Sequence, residues 1–379
     1  MGLLAYLIHF SSQGTKLKNQ NKSRNYGSML ERFYHLNNTS VDSSTPMPPV
    51  TTIPGLHGID EDLSVWEKTH RPRLIILIRH GESESNIDKS VNEYIPNQHI
   101  PLTDKGWKQA HYAGVQLLRV LNLDDEGLVD KLEEEYDFPT KDSCILPMKD
   151  YTRLDKHKDR EIVFYTSPYK RARQTLKGIL DVLDRYNELN CRIKLQDERL
   201  YNPEGKCKFA FWPQPREYGC NSYENVHEED VGTIPPGKTY IAYRVKDEPR
   251  IREQDFGNFQ KLSSMKDVLQ KRATYGHFFF RFPQGESAAD VFNRVGNFQE
   301  TLFRHFRTVD FNKPRDVVVL VTHGIFSRVF LMKWFGWTYE EFESFTNVPN
   351  GCVIVMEYDE NINTYNLRTV LRKWDDEES

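Results

Sequence analysis

Two runs of aliphatic residues, far apart in the chain, end in the same way, and no other feature narrows the fold as much. Residues 74–78 (Leu-Ile-Ile-Leu-Ile) lead into Arg79-His80-Gly81-Glu82-Ser83, and residues 317–321 (Val-Val-Val-Leu-Val) lead into Thr322-His323-Gly324. Consecutive aliphatics bounded by polar residues are the pattern of a strand buried on both faces, the environment of a parallel sheet covered by helices. In such sheets the residues just beyond the carboxyl ends of the strands face the crevice where ligands bind. Two strands with the same ending therefore predict two histidines at one sheet edge. Gly81 allows a sharp turn and close approach to a ligand, and Asn86 adds an amide donor a few residues on.

Two further segments belong with this pair. Residues 162–166 (Ile-Val-Phe-Tyr-Thr) read as a third strand, broken at Ser167-Pro168 and followed by a helix that opens with Lys170, Arg171 and Arg173. A helix N-terminus offers free backbone N–H groups and the positive end of its dipole, both of which attract an anion. The segment Arg252-Glu253-Gln254-Asp255-Phe256-Gly257-Asn258 supplies two carboxyl groups beside an aromatic and a glycine. Either Glu253 or Asp255 could serve as a proton donor in a partly desolvated site. Asp255 could equally cap a helix beginning near Asn258.

Taken together, these segments resemble the histidine phosphatase superfamily in its phosphoglycerate-mutase-like branch, over most of the chain from Arg73 to Tyr358. The wording of residues 252–260 and of Phe282-Pro283-Gln284-Gly285-Glu286-Ser287 is similar to a plant and fungal group of broad-specificity or acid phosphatase-like members. The resemblance implies an α/β fold: a three-layer α/β/α sandwich with a mostly parallel central sheet. It implies that His80 is the phosphorylated nucleophile, that Arg79, Arg171 and His323 complete the phosphate pocket, and that Asn86 lies at its rim. It favours Arg171 over Arg173, and Glu253 over Asp255 as the proton donor. His323 is followed by Gly324, where the acid-phosphatase branch has Asp.

The chemistry implied is phosphomonoester hydrolysis through a phosphohistidine on His80. Planar guanidinium forks suit the three phosphoryl oxygens, and Glu253 first protonates the leaving oxygen and then activates water. No cofactor is called for, and no His-x-x-x-His or Cys-x-x-Cys spacing suggests a metal. Cationic neighbours are expected to hold His80 neutral in mild acid while Glu253 enters protonated, which predicts an acid-side optimum. A mutase-type phosphotransferase is the alternative within the fold, but the resemblance would then require Arg where Gln254 stands. A weakly catalytic binding protein is the other alternative, and it would predict a lost catalytic residue where none is lost.

The remainder of the chain sets limits. With 51 basic and 55 acidic residues the net charge is −4, so no bulk field recruits nucleic acid. The expected partner is a small phosphorylated substrate or a phosphoprotein. The apolar stretch of residues 3–10 is too short to span a bilayer. Five irregularly spaced cysteines indicate a reducing, cytoplasmic setting, and Lys16, Lys18, Lys22 and Arg24 leave a mitochondrial or nuclear pool open.

Residues 1–70 read as a largely disordered N-terminal extension, 71–374 as the catalytic domain and 375–379 as an acidic tail. Insertions are expected near 124–160 and 201–249. The second is punctuated by proline and glycine yet carries Phe209, Phe211, Trp212 and Tyr218. Those aromatics predict a segment packed on the body, either as a lid beside Glu253 or as a surface insertion.

Overall fold

The computed structural model describes residues 71–123, 127–136, 145–149, 160–191, 222–224, 241–257, 262–307 and 317–374. Among the described residues seven strands form one sheet: β1 (Leu74–Arg79), β2 (Arg160–Thr166), β3 (Ser222–Glu224), β4 (Ile241–Asp247), β5 (Val317–Thr322), β6 (Val353–Asp359) and β7 (Thr364–Leu367). Their order is β3-β4-β2-β5-β1-β6-β7. The four central strands, β4, β2, β5 and β1, run parallel, while β3, β6 and β7 pair antiparallel at the margins.

The helices are α1 (Glu84–Ile87), α2 (Asp104–Val120), α3 (Leu128–Glu135), α4 (Lys170–Cys191), α5 (Leu262–Tyr275), α6 (Ala288–Arg307), α7 (Gly324–Phe335) and α8 (Tyr339–Ser344). Alternate residues of β1 divide the core in two. Leu74, Ile76 and Ile78 pack with α2, α3 and α4 on one face, and Ile75 and Leu77 pack with α6 and α7 on the other. The result is the expected three-layer α/β/α sandwich, and the absence of polar residues between 74 and 78 follows from this double coverage.

Most of the elements read from the sequence form where expected. Thr103 caps α2 by accepting from the Gly106 amide at 3.0 Å, as its position before the apolar run suggests. In α6 the residues Ala288, Val291, Val295, Phe298, Leu302 and Phe306 are all buried. Phe278 belongs to the core while Phe279 is exposed. Within the stretch 124–160, expected as an insertion, α3 buries Val129 and Leu132 against the main core.

Two differences concern the sheet. The stretch 201–249, expected as an insertion, ends in β4, a strand of the central parallel set. Its Ile241, Tyr243 and Val245 face the core while the intervening Ala242, Arg244 and Lys246 are less buried. That period of two was overshadowed by the prolines and glycines on either side. The sheet also continues beyond β6 into a further strand, β7, paired by the register Tyr358↔Tyr365. The expectations for residues 1–70, for the aromatic part of 201–249 and for the tail 375–379 lie outside the described residues.

Candidate active site

Strand register brings the two histidines together. Arg79 pairs with Thr322 across β1 and β5, and the His80 amide donates to the Thr322 carbonyl at 2.9 Å. One residue past these strand ends, the rings of His80 and His323 lie 5.0 Å apart, edge to face. β2 ends at the same level, with the Ser167 amide donating to Val321 O at 3.0 Å. β4 follows, with the Glu248 amide on Thr166 O at 2.9 Å.

His80 is buried, and its hydrogen bonds fix its tautomer. Nδ1 lies 2.7 Å from the Gly81 carbonyl oxygen, which can only accept. Nδ1 therefore carries the proton and Nε2 carries the lone pair. The Arg171 Nε–H donates to that Nε2 at 3.2 Å. Burial first, and then the charges of Arg171 and Arg79, push the imidazole well below its ordinary range. The turn is held from α4, where Thr175 Oγ1 accepts from the Gly81 amide at 3.0 Å. A Cβ at Gly81 would stand 2.3 Å from the Gly106 carbonyl oxygen. The His-Gly turn thus docks directly on the first turn of α2, and only glycine fits there.

The other predicted residues gather around this ring. Arg171, near the start of α4, donates from Nη1 to the Asn97 carbonyl at 2.7 Å and to Asn97 Oδ1 at 3.0 Å, with its guanidinium 4.9 Å from the Tyr169 ring. Burial lowers it to about 10, so it stays cationic over any ordinary working pH. Arg173 instead pairs with Asp247 at 2.8 Å. Arg79 donates from Nη1 to the Val348 carbonyl, while its Nε is buried without a hydrogen-bond partner. His323 is fully buried, with Nε2 2.7 Å from Ser167 Oγ and Nδ1 unpartnered. Burial and then Arg171 lead the influences that keep it well below the usual range of histidine. Asn86 lines the pocket, and its Oδ1 accepts from the Ser83 amide and hydroxyl, each at 2.9 Å.

Glu253 and Asp255 both line the pocket but differ in burial and partners. The Glu253 carboxyl is buried, and its Oε1 accepts from the Gln254 amide at 3.0 Å and from the Phe326 amide, in the first turn of α7, at 3.4 Å. Asp255 is exposed, with Oδ1 closing a small turn on the Gly257 amide at 2.8 Å. Together Arg79, His80, Arg171 and Glu253 line a pocket of about 640 Å³.

Several supporting residues had no mark in the sequence. Arg294 of α6 donates to the carbonyls of Arg250, Arg252 and Glu253 at 2.6, 2.9 and 3.1 Å, and pairs with Glu286 at 3.1 Å. Glu286 also takes Arg252 at 2.6 Å and the Asp255 amide at 3.0 Å. The two segments whose wording stood out, 252–257 and 282–287, are therefore locked together. Asn350 Nδ2 donates to the His80 carbonyl at 3.0 Å. Nothing in the sequence signals Asn97 or Asn350, which are single amides in loops.

This histidine pair, framed by two guanidinium groups and a buried carboxyl at the end of a parallel sheet, defines a class that comparison with known proteins identifies. The chain belongs to the histidine phosphatase superfamily (branch 1), whose family model matches residues 236–369. It is 65% identical over 306 residues to the broad-range acid phosphatase DET1 of Saccharomyces cerevisiae, covering 81% of this chain and 91% of that protein. It is 32% and 33% identical to the Arabidopsis thaliana phosphoglycerate mutase-like proteins AT74 and AT74H. Those matches cover 76% and 77% of this chain, and 65% and 76% of the respective relatives.

Proposed function

We propose that this chain hydrolyses phosphomonoesters of a broad range of alcohols, on the acid side of neutrality, through a phosphohistidine on His80. The observation that carries the proposal is the state of the His80 ring: Nδ1–H is committed to Gly81 O, which puts the lone pair on Nε2, where the Arg171 Nε–H now rests and from which it turns to the phosphoryl oxygens as phosphorus arrives. Around it, Arg79 Nε and His323 Nδ1 are buried polar atoms without partners. Buried groups of that kind are uncommon in proteins and are accounted for by strain, a catalytic role, water or a bound group. A phosphoryl group next to Nε2 would supply acceptors for them.

In the first half-reaction Nε2 attacks phosphorus in line as the ester P–O bond breaks, and the departing oxygen takes its proton from Glu253. Arg79, Arg171 and His323 supply donors where negative charge collects. The Nδ1–H bond to Gly81 O steadies the cationic ring of the intermediate. In the second half-reaction the Glu253 carboxylate takes a proton from water, the water oxygen bonds to phosphorus, and the P–N bond breaks. Phosphate leaves, with neutral His80 and protonated Glu253 restored.

The low proton affinity of His80 keeps Nε2 available in mild acid, and the name of the yeast relative agrees with an acid-side optimum. Transfer within one substrate is disfavoured by Gln254. It is fully buried and donates to the Glu286 carbonyl at 2.8 Å, so no cation follows the acid into the pocket.

The test is a panel of phosphomonoesters assayed with wild type and His80→Ala in acid, neutral and alkaline buffers. Phosphate release in mild acid by wild type alone supports the reading. Equal rates in both proteins, or a wild-type rate that climbs steadily into alkali, would overturn it.

A further inference from the structure

The same pocket holds two further cations that the hydrolytic cycle does not use. Arg272, in the last turn of α5, lines the cavity together with Leu269. Its guanidinium lies 5.3 Å from the ring centre of Phe282, which is fully buried and packs edge to face on Phe256 at 4.9 Å. Nε and Nη2 of Arg272 are both buried and make no hydrogen bond. These two atoms form one edge of the guanidinium, the fork that receives a carboxylate or phosphate through two parallel bonds. A charged fork that is held on an aromatic face and left unsatisfied is costly unless an anion fills it.

Lys89 lines the cavity as well. It sits on the 3₁₀ turn Lys89–Glu93, which packs near α5. Partial burial and the charges of Arg79 and Arg171 depress its proton affinity, which places its ammonium in the field of the phosphate site. The reaction uses Arg79 and Arg171 for the transferred phosphoryl group, so Arg272 and Lys89 are left for the remainder of the substrate.

We propose that Arg272 forms a second anion site, in which its Nε–Nη2 edge binds a carboxylate or phosphate on the leaving-group half of the substrate while Lys89 adds positive charge. Within a broad range of alcohols, the site favours phosphomonoesters whose alcohol portion is itself anionic. This rests on the hydrolytic reading above.

The experiment uses the full chain and matched substrates. Glycerol 3-phosphate and 3-phosphoglycerate differ by a hydroxymethyl group against a carboxylate; fructose 6-phosphate and fructose 1,6-bisphosphate differ by a second phosphate. Wild type is expected to favour the charged member of at least one pair in kcat/KM, mainly through KM, and the preferred pair identifies the anion. Arg272→Gln is expected to lower the charged-to-neutral ratio about tenfold or more. Arg272→Lys, which keeps the charge but not the fork, should fall between, and Lys89→Gln should lower the ratio less. The last two variants carry the test if Arg272→Gln does not fold.

Absence of a preference in wild type, or a ratio unchanged in the Arg272 variants, overturns the proposal. So does a parallel loss on both members with a displaced alkaline limb of the pH profile, which would mean that Arg272 acts through Glu253, the group that must enter protonated. The hydrolytic reading fails separately, if His80→Ala turns over glycerol 3-phosphate as fast as wild type.

Discussion

In the proposed mechanism His80 is prepared as the nucleophile by the acceptor at its Nδ1 and by the low proton affinity that burial and two guanidinium groups impose. The general acid is a separate contribution, and it can be tested alone. Replacing Glu253 by Gln keeps the shape and removes the proton, so kcat should fall by about 10²–10⁴ on alkyl phosphates, whose alkoxides leave poorly. The loss should be much smaller on 4-nitrophenyl phosphate, whose leaving group departs as an anion. Asp255→Asn should change neither, because that carboxyl is exposed and spent on a local turn. Equal losses on both substrate types in Glu253→Gln would remove it from the proton-donor role. At this scale the sequence was informative wherever a side chain followed a recognisable strand or helix start, as His80, His323 and Arg171 do. The choice between Arg171 and Arg173 is a matter of partners: the first turns inward to His80 and the second outward to Asp247. Ser167 could be read as a turn residue but not as the partner of His323, which lies 156 residues away.

Glu253 is positioned by two elements that interlock. Gly257 has φ +78°, and a Cβ there would stand 2.2 Å from the Pro283 carbonyl oxygen, so the segments 252–257 and 282–287 meet backbone to backbone. Arg294 then ties three carbonyls of the Glu253 segment to α6. Its partner Glu286 is as well enclosed, with side-chain exposures of 10% and 15%. Removing Arg294 strips a donor from three carbonyls and leaves Arg252 as the cation on Glu286, so Arg294→Leu is expected to cost about 2–3 kcal/mol of stability. It should also lower kcat more than it raises KM, since the acid moves while the phosphate site stays. Urea denaturation together with steady-state kinetics checks both. A stable variant with wild-type kcat would show that the latch does not hold Glu253. The five-residue aliphatic runs made β1 and β5 easy to find because burial on both faces leaves no polar interruption. β4 lies between proline-rich flanks with one half-covered face, and β3, at three residues, is too short to show any period. The latch was visible only as unusual wording in two segments; that they touch is a property of the fold.

Across the whole molecule, the site makes stability depend on pH. His80 and His323 both titrate well below the ordinary 6.5 in the fold, and near that value once unfolded. Their contribution is complete above the unfolded value and is lost as pH falls toward the folded values, because the unfolded chain binds protons the native state refuses. Each histidine contributes a slope of up to about 1.4 kcal/mol per pH unit in that window. An enzyme working in mild acid would thus do so on the declining side of its stability curve. Urea midpoints taken from neutral to mildly acid pH should fall, and the fall should be shallower in His80→Asn/His323→Asn. An equally steep fall in that variant would assign the dependence to other groups. The central claim, that phosphate passes through His80, is tested most directly by rapid acid-free quenching of enzyme mixed with radiolabelled phosphomonoester, followed by peptide mapping. The account predicts label on the peptide containing His80, stable in alkali and labile in acid, forming as fast as turnover and absent from His80→Ala. Turnover with no labelled intermediate in a burst-phase experiment, or label retained in His80→Ala, would contradict it.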